Sequence, residues 1–183
     1  MSRNPQRLRA DAQRNRERLL ETAREAFARD GAEASLDDIA KQSGLGSATL
    51  YRHYPTREML IQAVYRHQVE VLAASGDELV MSKPPREALR CWMMTLVDHV
   101  LEKRIISSAL NESAYENARV LIQGTMDKLV QCGIASGELR SDTVPFDLLR
   151  AMIGILQVQG ADLEGSARRL VETLIRGASV AGD

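Results

Sequence analysis

Residues 35–60 read SLDDIAKQSGLGSATLYRHYPTREML, and this stretch decides the fold. It opens with a helix-capping pattern, because the Ser35 hydroxyl can accept an unpaired backbone amide and Asp38 can reach back to the cap. The apolar residues of 36–40 then predict a short helix, and the Gly-Leu-Gly run at 44–46 ends it. The pattern therefore begins with a short, capped helix followed by a tight turn.

A second short helix is predicted from Ser47 to Tyr54, because the residue before Pro55 is pushed out of the helical region. Two such helices lock together only where their crossing point is small, and Ala40 provides that point. Gly44 lies where the chain must turn sharply, which favours a positive φ. Together these features predict a helix-turn-helix, which places its second helix in the major groove of DNA.

The second helix of this pair carries polar and small residues that the core does not need. Leu45 and Leu50 supply the apolar contact beneath it, which leaves the others available for DNA: Ser47, Ala48, Thr49, Arg52 and His53. Polar side chains here suit phosphate contacts, which fix register without reading sequence. The alternative is a plain all-α protein in which the helix pair and its tyrosines serve only the core.

The N-terminal segment is basic and carries no apolar period until about residue 14. We expect a flexible basic arm over residues 1–13 and a helix from about Arg14 to Asp30, which ends at Gly31. Residues 1–57 carry 11 Lys and Arg against 8 Asp and Glu, whereas residues 58–183 carry 13 against 17. A basic end on an acidic body suits contact with a polyanion, and a solvated tail is the alternative.

The stretch closely resembles the DNA-binding segment of TetR/AcrR regulators, and the likeness runs from about Arg16 to Val64. The run Thr49-Leu-Tyr-Arg-His-Tyr, followed by a basic residue and an acid, is specific to that family. The resemblance implies that Thr49, Tyr51, His53 and Arg57 bind phosphates and that Ser47, Ala48 and Arg52 face the bases. The full set of predicted DNA-contacting residues is Ser35, Ser47, Ala48, Thr49, Tyr51, Arg52, His53, Tyr54 and Arg57.

The remaining chain reads as helices throughout, so the fold class is all-α. Thr56 is the predicted N-cap of a long connecting helix over residues 57–75, and Pro85 suits the first turn of the next helix. Further helices are expected at about 105–112, 115–136, 145–159 and 166–178, with Gly137 closing the second of these segments. We therefore predict a helix-turn-helix domain over 14–56 and a C-terminal helical bundle over 57–183 for dimerisation and ligand binding.

The last two helices carry more apolar residues than one buried face needs. Stripes on two sides of the first helix indicate that both sides are covered, most simply by the same helices of a second subunit, as the resemblance also implies. The predicted dimer residues are Leu148, Met152, Ile155, Leu156, Leu170, Leu174 and Ile175. One wide internal core is the alternative. The run 137–142 followed by Asp147-Leu-Leu also resembles regulatory domains of one subgroup in the family.

The middle helices hold large, adaptable side chains that suit a small-molecule pocket. The residues predicted to line it are Trp92, Met93, Leu96, His99, Tyr115, Met126 and Met152. Each of them serves equally well as ordinary core. No residue spacing here points to a metal site or a cofactor, and the two cysteines read as buried hydrophobes of a reducing compartment.

Composition narrows the class of protein further. No secretory signal and no uninterrupted apolar run of about 18 residues is seen, so neither secretion nor a membrane span is expected. No catalytic motif is apparent, so no enzyme is expected. These observations predict a cytoplasmic, homodimeric repressor that binds a palindromic operator and is released by a small-molecule effector. The alternatives are an activator, a ligand-independent regulator, or a helical adaptor whose basic arm binds a membrane or an acidic protein.

Overall fold

The structure is a computed structural model, and it describes residues 5–103, 110–157 and 162–180. These residues form eight α-helices and one 3₁₀ turn, Gly31–Glu33. The helices are α1 (Pro5–Asp30), α2 (Leu36–Gln42), α3 (Ser47–His53), α4 (Arg57–Ser82), α5 (Pro85–Lys103), α6 (Glu112–Ala135), α7 (Pro145–Gln157) and α8 (Leu163–Ala178). No strand occurs within these three ranges, in agreement with the all-α prediction. None of the helices in these ranges combines the length and the apolar composition that a membrane span needs.

The described residues form two compact units. The N-terminal unit comprises residues 5–67 and 110–114, and the C-terminal unit comprises 68–103, 115–157 and 162–180. Helix α4 continues from the first unit into the second. The sequence predicted that the DNA-binding domain ends at residue 56, whereas the compact N-terminal unit extends as far as His67.

Helix α1 begins much earlier than the sequence analysis predicted. It starts at Pro5 rather than at about Arg14, so residues 5–13 are helical and only residues 1–4 of the predicted arm lie outside the described residues. Proline is favoured in a first helical turn, and the Gln, Arg, Leu and Ala that follow are good helix formers. The prediction was wrong here because it rested on an apolar stripe, and the sequence of residues 5–13 carries none.

Helix α4 also exceeds its predicted length, because it ends at Ser82 instead of Ser75. Gly76 lies inside the helix at a close crossing, where an added Cβ would lie 2.3 Å from Cγ2 of Thr125. The glycine therefore allows α6 to approach α4 and does not end the helix. The short helix expected at about 105–112 falls mostly outside the described residues.

The C-terminal unit is built around the side chain of Trp92, which is fully buried on α5. Its indole N–H donates to the carbonyl of Leu72, 2.9 Å away on α4. Across the other side of α5, Arg90 pairs with Glu172 of α8 at 2.7 Å. These contacts orient α5 between the connecting helix and the last helix of the chain.

The segment between α6 and α7 is joined to the end of α8 by backbone hydrogen bonds. Gly137, with φ of 77°, closes α6 as predicted. Leu139 and Ser179 then form an isolated antiparallel bridge, with the Arg140 amide 2.9 Å from the Ala178 carbonyl. The sequence carries no strand-like alternation that would predict this bridge. It holds the beginning of α7 beside the end of α8.

Candidate nucleic-acid interface

Helices α2 and α3 form the predicted helix-turn-helix. The Ser35 hydroxyl accepts a hydrogen bond from the Asp38 amide at 3.2 Å, which confirms the predicted cap of α2. Ala40 is fully buried at the crossing, and so is Leu50 beneath α3. Because Leu50 is the side chain that points into the core, it sets the rotation of α3 and decides which residues face outwards.

The turn between the two helices has the conformation that the sequence predicts. Gly44 has a φ of 72°, which a residue with a Cβ adopts only at a cost. The Leu45 amide donates to the Ala40 carbonyl at 2.9 Å, which closes the end of α2. The turn is also held from α1, because the Arg18 Nε donates to the Ser43 carbonyl at 2.8 Å. Sequence reasoning missed this contact, since an arginine on a solvated helix face carries no signal for it.

Arg57, for which the resemblance implies a phosphate contact, also makes hydrogen bonds within its own chain. It is half-buried, and its Nη1 donates to the carbonyls of Ala32, at 2.8 Å, and Ala34. These carbonyls belong to the connection between α1 and α2, so the guanidinium holds that connection against the start of α4. Arg57 therefore supports the helix-turn-helix, and its phosphate contact stays a prediction.

The first turn of α4 is occupied by side chains of its own. The Thr56 hydroxyl accepts from the Met59 amide at 3.3 Å, as predicted for an N-cap. The backbone amide of Glu58 and the Thr56 hydroxyl lower the pKa of the Glu58 carboxyl below its usual range. A carboxylate of the chain is thus already bound at the amides of this first turn, where a helix N-terminus would otherwise favour an external anion.

The outer surface of α3 divides into three pairs of residues, each pair separated by one helical turn. Ala48 and Arg52 lie opposite the buried Leu50 and are exposed. Ser47 and Tyr51 form one flank, with Tyr51 42% exposed, and Thr49 and His53 form the other. Two of the predicted base-facing residues, Ala48 and Arg52, therefore point away from the protein, whereas the third, Ser47, lies on a flank. Of the predicted phosphate residues on α3, Tyr51 lies on one flank, and Thr49 and His53 lie on the other.

The flank of Thr49 and His53 faces α1 across a groove of about 420 Å³. The groove is lined by Ala12, Gln13, Asn15, Arg16, Leu19, Leu45, Thr49, His53 and Tyr54. None of these nine residues is acidic. The outward-facing pairs on α3, together with the groove that holds Arg16, form a surface that suits a polyanion.

Comparison with known proteins agrees with this geometry. The family model described as bacterial regulatory proteins, tetR family, matches residues 19–64, which hold the helix-turn-helix. A solved TetR transcriptional regulator from Streptomyces coelicolor is 36% identical, with a TM-score of 0.81, and covers 91% of this chain and 99% of its own. The chain belongs to the TetR family. It is a transcriptional regulator with a DNA-binding helix-turn-helix, as the sequence predicts.

Two further relatives extend the comparison of this TetR-family chain. An HTH-type transcriptional regulator of Staphylococcus aureus strain USA300 is 30% identical over 104 residues, and the chain spans about half the length of the curated relatives it matches. RolR, solved in complex with resorcinol, is 21% identical with a TM-score of 0.56 and covers 93% of this chain and 90% of its own. At that identity the likeness concerns the fold alone.

Most of the predicted pocket residues of this TetR-family chain lie in the core of the C-terminal unit. Five of them are at most 2% exposed: Trp92, Met93, Leu96, Met126 and Met152. His99 is 8% exposed and Tyr115 is half-buried. Beside this core, a cleft of about 140 Å³ lies between α6 and α7, with Met126 on its wall. The structure thus brings five of the seven predicted residues to one core, and the ligand role of the set stays a prediction.

The predicted dimer residues fall into two groups. Four are buried in the core of the same chain: Leu148, Met152, Leu156 and Ile175. Leu170 is 39% exposed, and Ile155 and Leu174 are half-buried. The exposed apolar residues that the set omitted are Phe146 and Ile153 on α7. The four buried side chains are covered by their own chain, so they offer little area to a partner. They belong to the core beneath the outer face of α7 and α8.

Within the described residues, no group of three or more His, Cys, Asp or Glu side chains could hold a metal ion. Cys91 and Cys132 are both half-buried and are not joined in a disulfide. Their half-buried positions on α5 and α6 differ from the full burial that the sequence suggested.

Proposed function

We propose that this TetR-family chain is a repressor that acts as a homodimer on a palindromic operator and is released by a small, largely apolar effector. The observation that carries the proposal is the orientation of α3. The buried Leu50 fixes it so that Ala48 and Arg52 face outwards. A recognition helix held in this way enters the major groove with a defined face towards the bases.

The three pairs on α3 suggest a division of work on DNA. Arg52 has the geometry for a bidentate contact with a guanine, and the small Ala48 lets the helix backbone approach the base edges. Ser47 lies beside them, while Tyr51, Thr49 and His53 on the flanks supply donors for phosphates. Residues 14–56 would then be the DNA-binding domain, and α4 would connect it with the regulatory residues that follow.

The proposed dimer contact is the outer face of α7 and α8. Phe146 is 41% exposed and Ile153 is 47% exposed. Both lie on the outer side of α7, whereas the buried residues of this helix face the core. Leu170 extends the apolar surface on α8, and Gly154 has no atom within 4 Å of where a Cβ would lie. An apolar surface with room for close approach suits a second copy of the same helices, and a C2 pair is the commonest solution.

The effector proposal draws support from the C-terminal core and from RolR. Methionines 93, 126 and 152 share one buried core with Trp92, and such flexible side chains repack readily about a ligand. The complex of RolR with resorcinol is an example of a small aromatic ligand held by a related fold. An effector needs a few kcal/mol of differential affinity between the two states to empty an operator. A regulator of this kind works in the cytoplasm, where the operator is.

The proposal is tested by recovering DNA fragments from the genome with the purified protein and sequencing them. A recurrent palindrome bound with a steep dependence on salt is the expected result. Fragments with no shared sequence, or binding of equal strength to random duplexes, would contradict a role as an operator-specific regulator. Genes beside the recovered sites would then suggest effectors for a release assay.

A further inference from the structure

We propose that the groove between α1 and α3 receives the sugar-phosphate backbone of one operator strand, so that α1 is a second wall of the DNA site. The inference rests on the proposed function, since it assigns a further partner surface to the same head. It adds Gln13, Asn15 and Arg16 to the residues that meet DNA. None of these three is part of the resemblance-based set.

The groove is large enough to receive a nucleotide unit. Its volume of about 420 Å³ lies in the range of roughly 300–1,000 Å³ that is typical of small-ligand sites. The apolar Leu19 and Leu45 contribute to its lining, where they offer contact to the carbon face of a deoxyribose. The polar side chains of Asn15 and Thr49 lie on opposite walls, so donors are present on both sides of the groove.

The charges along α1 favour an anionic occupant. Arg14 pairs with Asp11 and Arg24 pairs with Glu21. Among the described residues, by contrast, no carboxylate pairs with Arg16, which is exposed at the groove. An arginine without an internal counter-ion, beside a groove without acids, is placed to neutralise one phosphate per subunit.

The first test compares Arg16→Ala with Arg14→Ala in operator binding over a series of salt concentrations. Arg14 is the matched control, because it is an exposed arginine two residues away that does not line the groove. We expect Arg16→Ala to reduce the slope of log K against log salt by about 0.9 per subunit, and Arg14→Ala to reduce it by less. Equal slopes in the two variants would overturn the inference.

The second test fills the groove without changing charge. Ala12 lies in the groove and Ala28 lies outside it, and both are exposed on α1, so Ala12→Phe and Ala28→Phe carry the same cost in helix propensity. We expect Ala12→Phe to lose operator affinity at least tenfold more than Ala28→Phe, with equal melting temperatures.

The outcomes separate this inference from the proposed function. A wild-type protein that binds no palindrome refutes the proposed function and removes the basis of the groove assignment. A wild-type protein that binds its operator, together with an Ala12→Phe variant of full affinity, overturns the groove assignment alone. That second result would be expected if the groove received a small effector or no ligand.

Discussion

Gly76 offers a sharp test of how closely the helices of the C-terminal unit are packed. It lies in the middle of α4, where a Cβ would meet Cγ2 of Thr125 at 2.3 Å and Cδ1 of Trp92 at 3.7 Å. Thr125 cannot simply rotate away, because its hydroxyl donates to the Leu121 carbonyl at 3.0 Å. Trp92 is held in turn by its hydrogen bond to the Leu72 carbonyl. Gly76→Ala must therefore move a helix or break a hydrogen bond.

Two opposing effects decide the magnitude. Alanine inside a helix is worth about 1 kcal/mol more than glycine. Forcing an extra methyl group into a packed core costs about 1–3 kcal/mol. We expect Gly76→Ala to destabilise the protein by up to about 2 kcal/mol, which for a chain of this size lowers the melting temperature by roughly 4–8 °C at the upper limit.

Gly124 on α6 is the matched control. It also lies inside a helix, but no atom lies within 4 Å of where its Cβ would be. Gly124→Ala should therefore keep only the helix gain and stabilise the protein by about 0.5–1 kcal/mol. Thermal and urea unfolding of both variants measure the difference, and the same substitution should have opposite signs at the two sites.

A second-site variant tests the cause of the loss. Thr125→Ser removes Cγ2 and retains the hydroxyl that bonds to the Leu121 carbonyl. Combined with Gly76→Ala, it should restore stability to near the wild-type value, although alone it costs about 1 kcal/mol for the lost methyl group. A Gly76→Ala protein as stable as Gly124→Ala, or a double variant no better than Gly76→Ala, would refute the close-crossing argument.

Three further predictions concern the interfaces. Tyr51→Phe and His53→Ala should weaken binding to all operator variants alike, because they lose phosphate contacts, and full affinity in both by fluorescence anisotropy would contradict their roles. Ile153→Glu should yield monomers in sedimentation, because it places an unpaired charge in the proposed dimer contact. Val71→Glu also replaces an exposed apolar residue and should leave the dimer intact. The same oligomeric state in both variants would argue against the α7–α8 face. Arg57→Gln should destabilise the protein by about 1–3 kcal/mol in urea unfolding, because two backbone carbonyls lose a charged donor, and unchanged stability would restore a purely DNA-binding role.

The helix-turn-helix was predictable because its determinants are local. The cap at Ser35, the positive φ at Gly44 and the end of α3 before Pro55 each follow from the chemistry of one or two neighbouring residues. The contacts that hold this motif from outside were not predictable. Arg18 and Arg57 each bond to backbone atoms about 25 residues away, and nothing in the sequence distinguishes them from solvated arginines.

The ends of the helices were predicted well only where a stop signal acts on its own. Gly137 and Pro145 bound their helices as expected. Gly76 does not end its helix. A glycine either ends a helix or permits a close crossing, and the residue opposite decides which. Here that residue is Thr125, which lies 49 positions further along the chain and so gives no local signal. Pro5 marks the start of α1, but the first two turns carry no apolar stripe, and the periodicity on which the prediction relied could not reveal them.

The same limit applies to the predicted dimer residues, whose role stays a prediction. The period of α7 shows that it has two apolar sides, but the sequence does not say which side its own chain covers. The structure separates them: Met152 is 1% exposed and packs with the core, whereas the adjacent Ile153 is 47% exposed. Because consecutive helical residues point about 100° apart, one helix serves both roles. A charge at Met152 would therefore disrupt the fold of the subunit, and a charge at Ile153 would act on association, so only the second substitution tests the dimer.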